Sequence, residues 1–187
     1  MRPLFVVAGI LAACGAAPMD SSSTMAAQDY MPPIPAGARA ESFRRIALQP
    51  DMGSPGLQVS GIHAQRRQVI QDAATWAAAW HEIFAGQLPE PALAPVDFSK
   101  ETVVLAAMGD CMNGGYSIAI DSAFADGNTT TAGVSSVMPD PMCMMMQMQV
   151  ITQPVDVVAV PRAASVTFAE RGSMSMCGGM PMMGMGR

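Results

Sequence analysis

The spacing of hydrophobic residues changes character several times along this chain. Leu4 to Ala13 is an unbroken apolar run, LFVVAGILAA. It is about half the 20 residues that a membrane-spanning helix needs, and suits a signal-peptide core. No period holds from Gly15 to Ala40. Ser42 to Gln49 and Leu57 to Ile70 read as two strands joined by the turn Asp51-Met52-Gly53-Ser54-Pro55-Gly56. Trp76, Trp80, Ile83 and Phe84 then fall at i, i+4, i+7 and i+8, one face of a helix, with Asp72 as its N-cap and Gly86 as its stop. His81 and Glu82 lie off that face. Beyond Pro89, Pro91 and Pro95 the pattern turns to strands. Thr102 to Met108 is apolar on both faces, as in a central strand. Tyr116, Ile118 and Ile120 alternate with polar or small residues, as in a half-buried one. Asp126-Gly127 is a hairpin signal before the threonine run Thr129 to Ala132. Met144 to Thr152, Asp156 to Val160 and Ser165 to Ala169 are further strands. From Ser173 onward no period remains.

One helix among seven or so strands with hairpin spacing predicts an α+β domain, mainly antiparallel β-sheet, either sandwich-like or a single helix-covered sheet. The chain divides into a signal segment over 1–13, a tether over 14–40, the folded domain over 41–172 and a flexible tail over 173–187. The tether is stiff and extended at Met31-Pro32-Pro33-Ile34-Pro35. A coil of its length reaches about 25–30 Å.

The apolar run ends in Leu11-Ala12-Ala13-Cys14, which resembles the lipobox of bacterial lipoproteins. The resemblance implies cleavage before Cys14, a diacylglyceryl group on its thiol and acylation of the new amine. Several acyl chains anchor stably at about 0.8 kcal/mol per buried CH₂. Cys14 would thus hold the protein to the cell envelope without a spanning helix. Gly15 in place of Asp favours the outer over the inner membrane.

Charge narrows the partners. The formal net charge is −5. Loss of the signal removes Arg2 and makes it one unit more negative. Lys100 is the single lysine. Such a chain has no basic footprint for nucleic acid and no basic patch for anionic lipid. Of the four cysteines, Cys111, Cys143 and Cys177 remain once Cys14 carries lipid. They allow one disulfide and a leftover thiol, or a metal site. Cys111 and Cys143 both precede strands, and a disulfide between them would persist outside the cytoplasm. No catalytic set stands out. His81-Glu82-Ile83-Phe84-Ala85 starts like a zinc-protease helix but has Ala where the second ligand belongs. No Gly-x-Ser-x-Gly elbow occurs. Cys111 with His63 or His81 as a thiol–base pair is the weakest reading. The chain is expected not to be an enzyme.

A further set of features occurs in order. Trp76-x-x-x-Trp80 is followed by Pro95-Val96-Asp97-Phe98-Ser99-Lys100-Glu101. The apolar strand Thr102 to Met108 then leads to Gly109, and Gly114-Gly115-Tyr116-Ser117 starts the next strand. Pro139-Asp140-Pro141 precedes a strand that closes on Gln153-Pro154-Val155-Asp156-Val157-Val158-Ala159-Val160-Pro161. Over Trp76 to Val166 this resembles the C-terminal domain of the PrcB family, accessory lipoprotein subunits of a bacterial surface protease complex. The resemblance implies a small non-catalytic domain that binds or stabilises another exported protein, and it carries over no catalytic residue. Cys111-Met112-Asn113 departs from the family, which usually has Thr before Gly-Gly-Tyr. The methionine runs are also foreign to it. Read physically, Gly114 and Gly115 admit a positive φ or a bulge at a strand start, with Tyr116 turned inward. That makes the segment a structural turn, or alternatively a peptide-docking edge.

Nineteen methionines exceed what a core needs. Met138, Met142, Met144, Met145, Met146 and Met148 crowd one short stretch. In a strand, Met144, Met146, Met148 and Val150 would share one core-facing side. The tail carries Met174, Met176, Cys177, Met180, Met182, Met183 and Met185 between glycines. Thioether and thiolate sulfurs are soft ligands that select Cu(I) or Ag(I). The alternative to an accessory role is therefore a soft-metal-binding or oxidant-scavenging lipoprotein, since methionine sulfoxide formation is reversible.

Overall fold

Two strands in this chain have apolar residues on both faces, and the architecture follows from them. The computed structural model describes residues 37–48, 56–141 and 148–175. Eight strands and one helix follow in chain order: β1 Arg39–Ala40, β2 Arg44–Arg45, β3 Arg66–Ile70, α1 Ala73–Ile83, β4 Glu101–Ala107, β5 Ser117–Asp126, β6 Thr129–Pro139, β7 Val155–Pro161 and β8 Ser165–Ser175. They form two four-stranded sheets, ordered β1-β5-β6-β8 and β2-β7-β4-β3. All pairings are antiparallel except β6 with β8, which run parallel.

β4 and β7 sit at the centre of the second sheet and are buried on both faces. On one face, Val103, Leu105, Val155, Val157 and Ala159 pack against Trp76, Trp80, Ile83 and Phe84 of the helix region. On the other, Val104, Ala106, Val158 and Val160 meet Ile118, Ile120, Ala132 and Val134 of the first sheet. The protein is thus three layers, helix on sheet on sheet. Of the two architectures that the sequence allows, the observed one is a sandwich with a helical cover.

α1 forms where the apolar spacing places it. Asp72 caps it, accepting from the Thr75 N–H at 2.8 Å and the Thr75 hydroxyl at 2.7 Å. These bonds hold the Asp72 carboxyl below its ordinary pKa. Trp76 and Trp80 meet edge-on at 5.2 Å. Their indole N–H groups donate to the carbonyls of Ala94 and Pro91, each at 2.9 Å, which ties the proline-rich crossing to the helix. Gly86 adopts φ +85° just past the helix. Among the described residues, no helix is long and apolar enough to cross a membrane.

Several expectations are corrected. The described part of the segment Ser42 to Gln49 yields only β2, and Leu57 makes an isolated bridge to Val155 while the rest of its segment stays irregular until β3. Arg39 and Ala40, placed in the tether by sequence, pair with β5. The strand expected over Met144 to Thr152 does not form in its described part. There, Thr152 makes a single bridge to Cys111, while Met148 is 75% exposed and Val150 and Ile151 are exposed too. Met148 and Val150 therefore do not line a core; Met144 and Met146 lie outside the described residues. At the other end, β8 continues to Ser175, so Ser173 and Met174 belong to the sheet rather than to a loose tail. Its last residues pair in register with Val137 to Pro139, and that pairing supplies the order that their own sequence lacks.

Candidate functional site

The segment that follows β4 turns at Gly109, which has φ +77°. A Cβ there would lie 2.8 Å from backbone atoms of Ala64 and Gln65, so the turn needs glycine for both conformation and space. Next to it, the Asp110 carboxylate accepts from the Gln153 amide at 2.8 Å and lies 2.9 Å from His63 Nδ1. These contacts lower its pKa, the Gln153 bond most. Cys111 is buried and exchanges two backbone hydrogen bonds with Thr152, at 2.8 and 2.9 Å.

The Gly-Gly-Tyr junction is built differently from the expectation. Neither Gly114 nor Gly115 has a positive φ. The turn is made by buried Asn113, whose side-chain oxygen accepts from the Gly115 N–H at 2.9 Å. The Gly114 N–H donates to the Met148 carbonyl at 3.0 Å. Tyr116 precedes β5 and is half-buried. The bulge lies further on, between Ile120 and Ser122, and Asp121 is its extra residue. Asp121 turns to the outer face of the sheet, where the Ser135 hydroxyl donates to it and Arg171 of β8 pairs with it at 2.5 Å.

A residue pair that the sequence reading passed over joins the two sheets beside this bulge. Asp156, in the middle of apolar β7, has no exposed side-chain surface. Its carboxylate pairs with Arg45 of β2 and accepts from the Ile120 N–H at 2.7 Å and the Val157 N–H at 2.9 Å. Arg45 also donates to the Ile120 carbonyl at 2.9 Å. β1 pairs with β5 only near Ala123 to Ala125. Past that point, Asp156 and Arg45 act as a surrogate strand for the edge of β5, satisfying both backbone groups of Ile120. The signal was an acid within Val-Asp-Val-Val on the same face as Val158 and Val160.

The two histidines face carboxylates: His63 faces Asp110, and His81 lies 2.7 Å from Glu90. Glu82 forms a two-pronged pair with Arg66, both contacts 2.6 Å, which lowers the glutamate pKa and raises that of the arginine. The His81-Glu82 pair thus divides between two partners. Among the described residues, no three His, Cys, Asp or Glu side chains converge on a metal position.

β8 is the outer strand of the first sheet, and among the described residues nothing pairs with its second edge. It offers about 35 Å of backbone there. Near its middle, Glu170 reaches across to Arg67 of β3, with contacts of 2.7 and 2.9 Å, and this bridge joins the free margins of the two sheets. On its outer face, Thr131–Thr167 and Thr129–Ser165 hydroxyl pairs link β6 to β8.

Of the site residues named from sequence, Cys14, Cys143, Met176, Cys177, Met180, Met182, Met183 and Met185 lie outside the described residues. Met174 lies in β8, in register with Met138 of β6.

Residues 102–161 match the family model of the PrcB C-terminal domain. The match runs from β4 through the Gly109–Tyr116 junction, β5 and β6 to the end of β7. It lies inside the span of the resemblance read from sequence and leaves α1 outside. No curated protein and no solved structure matches the chain. The chain carries a PrcB-like domain.

Proposed function

We propose that this PrcB-like domain is a lipid-anchored, non-enzymatic accessory module that binds or stabilises another exported protein, in the manner of a protease-complex subunit. The match over residues 102–161 carries the reading. The matched segment holds the structural centre, β4 and β7, and the junction and bulge that shape β5. Strand addition along β8 is the contact mode that the architecture favours. An open strand edge supplies main-chain hydrogen bonds for a partner, and alternate side chains supply selectivity. In this reading the lipid on Cys14 and the tether that follows place the domain at the outer membrane. A Cys111–Cys143 disulfide would fasten the junction to the segment after β6. Non-reducing mass mapping of the exported protein tests that bond, and two free thiols would remove it.

The interaction is tested by purifying the lipidated protein from membranes with a photo-crosslinking residue at Thr167 of β8, and with a control at exposed His81 of α1. One stoichiometric exported partner, crosslinked from position 167 and not from 81, is expected. No partner, or equal crosslinking from both positions, would reject the reading.

A further inference from the structure

The backbone of β8 is divided cleanly between its two edges. Its register with β6 runs without a break from Ser165 to Ser175. At one end the Ser165 N–H donates to the Asn128 carbonyl, next to β6, at 3.4 Å. At the other, the Ser175 carbonyl accepts from the Asp140 N–H, just past β6, at 3.2 Å. The N–H and C=O of a strand residue point to the same edge, and the edge alternates from residue to residue. The odd-numbered residues therefore face β6. Val166, Phe168, Glu170, Gly172 and Met174 turn both backbone groups to the open edge. None of them is proline and no bulge interrupts them, so the edge lacks the devices that usually block strand pairing. The two charges that could guard it are engaged elsewhere, Glu170 by Arg67 and Arg171 by Asp121.

We propose that the partner-free protein caps this edge with a second copy of itself, β8 against β8, antiparallel about a two-fold axis at Glu170. The strand is self-complementary in that register, as a two-fold interface requires. All 11 residues of β8 find an opposite residue in the other β8. Glu170 faces its own copy, Phe168 faces Gly172 and Val166 faces Met174. These are the hydrogen-bonding pairs, so every open N–H and C=O is satisfied. Moving the axis by one residue leaves Val166 or Met174 opposite a residue outside β8. The side chains agree with the backbone. On the face toward the other sheet, Phe168 covers the bare backbone of Gly172 in the second copy. Met174, 44% exposed, gains Val166. On the outer face Thr167 meets Ser173 and Ser165 meets Ser175, hydroxyl pairs that favour cross-strand contact. The two Glu170 carboxylates approach each other, and each is neutralised by its Arg67, with contacts of 2.7 and 2.9 Å. Eleven residues a side is fewer than the roughly 20–30 of a standard interface. The dimer is thus weak enough to be opened. Its role as a gate rests on the reading of β8 as the docking edge: a partner strand gains the edge by displacing the second copy.

The test uses the full mature chain with Cys14, Cys143 and Cys177 changed to serine, which leaves buried Cys111 as the one native thiol. One form adds Thr167→Cys and another adds Ser173→Cys. Opposed residues that do not hydrogen-bond have Cα atoms about 4.5 Å apart, within disulfide range. Under mild oxidation a mixture of the two forms should give the mixed disulfide dimer, and neither form alone should crosslink. Sedimentation should show the chain without added cysteines as a dimer at about 100 μM, well above a micromolar dissociation constant. Gly172→Pro removes an N–H from the open edge, where a new Cβ meets only Ser136 Oγ at 3.9 Å, and should give a monomer with an unchanged circular dichroism spectrum. A monomeric parent chain, no mixed disulfide, or each form crosslinking equally with itself would overturn the proposal. Dimers that appear only after removal of residues 176–187 would overturn it as well and give the edge to the chain's own C-terminus. Photo-crosslinking from Thr167 in membranes separates this from the partner reading, because self-adduct and partner adduct differ in mass. A captured partner with no self-pairing overturns the dimer and keeps the partner reading; self-pairing with no captured partner keeps the dimer and removes the partner reading.

Discussion

Replacing Asp156 by alanine probes the junction between the two sheets. The carboxylate is fully buried, and three groups depend on it: the Arg45 guanidinium, the Ile120 N–H at 2.7 Å and the Val157 N–H at 2.9 Å. Removing one member of a buried ion pair costs about 3–5 kcal/mol, because its partner is left uncompensated. Here the Arg45 side chain is one-third exposed and keeps its bond to the Ile120 carbonyl, so water relieves part of that penalty. The orphaned Ile120 N–H adds about 1–3 kcal/mol by itself, overlapping with the first term. A net cost of about 3–4 kcal/mol follows, or roughly 10–15 °C in Tm for a domain of this size. Urea denaturation of the non-lipidated domain, followed by far-UV circular dichroism, measures it. The paired variant Arg45→Met/Asp156→Leu should cost far less than the sum of its single changes, because no charge is then stranded. A cost below about 1 kcal/mol for Asp156→Ala, or single changes that add within about 0.5 kcal/mol, would refute the view that this pair joins the sheets.

Other outcomes follow from the same geometry. Gly109→Ala forces a side chain into φ +77° and onto the backbone of Ala64 and Gln65, and should cost about 3 kcal/mol or more. Gly127→Ala, at φ +58° with nothing within 4 Å, should cost only about 1–2 kcal/mol. Equal losses in melting experiments would contradict the close approach at Gly109. Glu82, Asp110 and Asp72 all have carboxyl pKa values below their ordinary ones, through Arg66, through Gln153 with His63, and through Thr75 respectively. The folded state therefore binds fewer protons than the unfolded chain in this range. The stabilisation is complete above the ordinary carboxylate range, about pH 4 to 5, and is lost as pH falls through the lowered values. A melting temperature unchanged from pH 7 to pH 3 would contradict this. Cys14→Ser should move the protein from the membrane fraction to the soluble one, and continued membrane association would refute lipid anchoring at that residue.

What could be read from the sequence was governed by local periodicity. The helix was legible because Trp76, Trp80, Ile83 and Phe84 mark one face and Asp72 has no better use than as a cap. β4 was legible as a central strand because both of its faces are apolar. The hairpin at Asp126-Gly127 was legible from its turn, and Gly127 does take a positive φ. The first half of β8, Ser165 to Ala169, was legible as a strand; its extension was not, because nothing local in Gly172 to Ser175 demands a strand, and the order there comes from parallel pairing with residues over thirty positions away. The methionines around 148 misled for the converse reason. Their alternation fits a strand, but the described part of that segment has only the Cys111–Thr152 bridge to pair with. Asp156 was passed over inside an apolar strand, although a buried acid on a core face requires a cation, and Arg45 supplies it. The PrcB resemblance was carried by the order of motifs, and the matched span, 102–161, is the part in which those motifs shape β4 to β7.

Crosslinking from β8 in native membranes tests the central claim most directly. With the photo-crosslinking residue at Thr167 in the lipidated full chain, a single exported protein should be captured at one-to-one stoichiometry. The capture should survive removal of residues 176–187 and disappear when Asp156→Ala loosens the sheet that presents β8. If no partner is captured from position 167, or if the partner is lost with the tail while the domain remains folded, the PrcB-like domain is not the docking module.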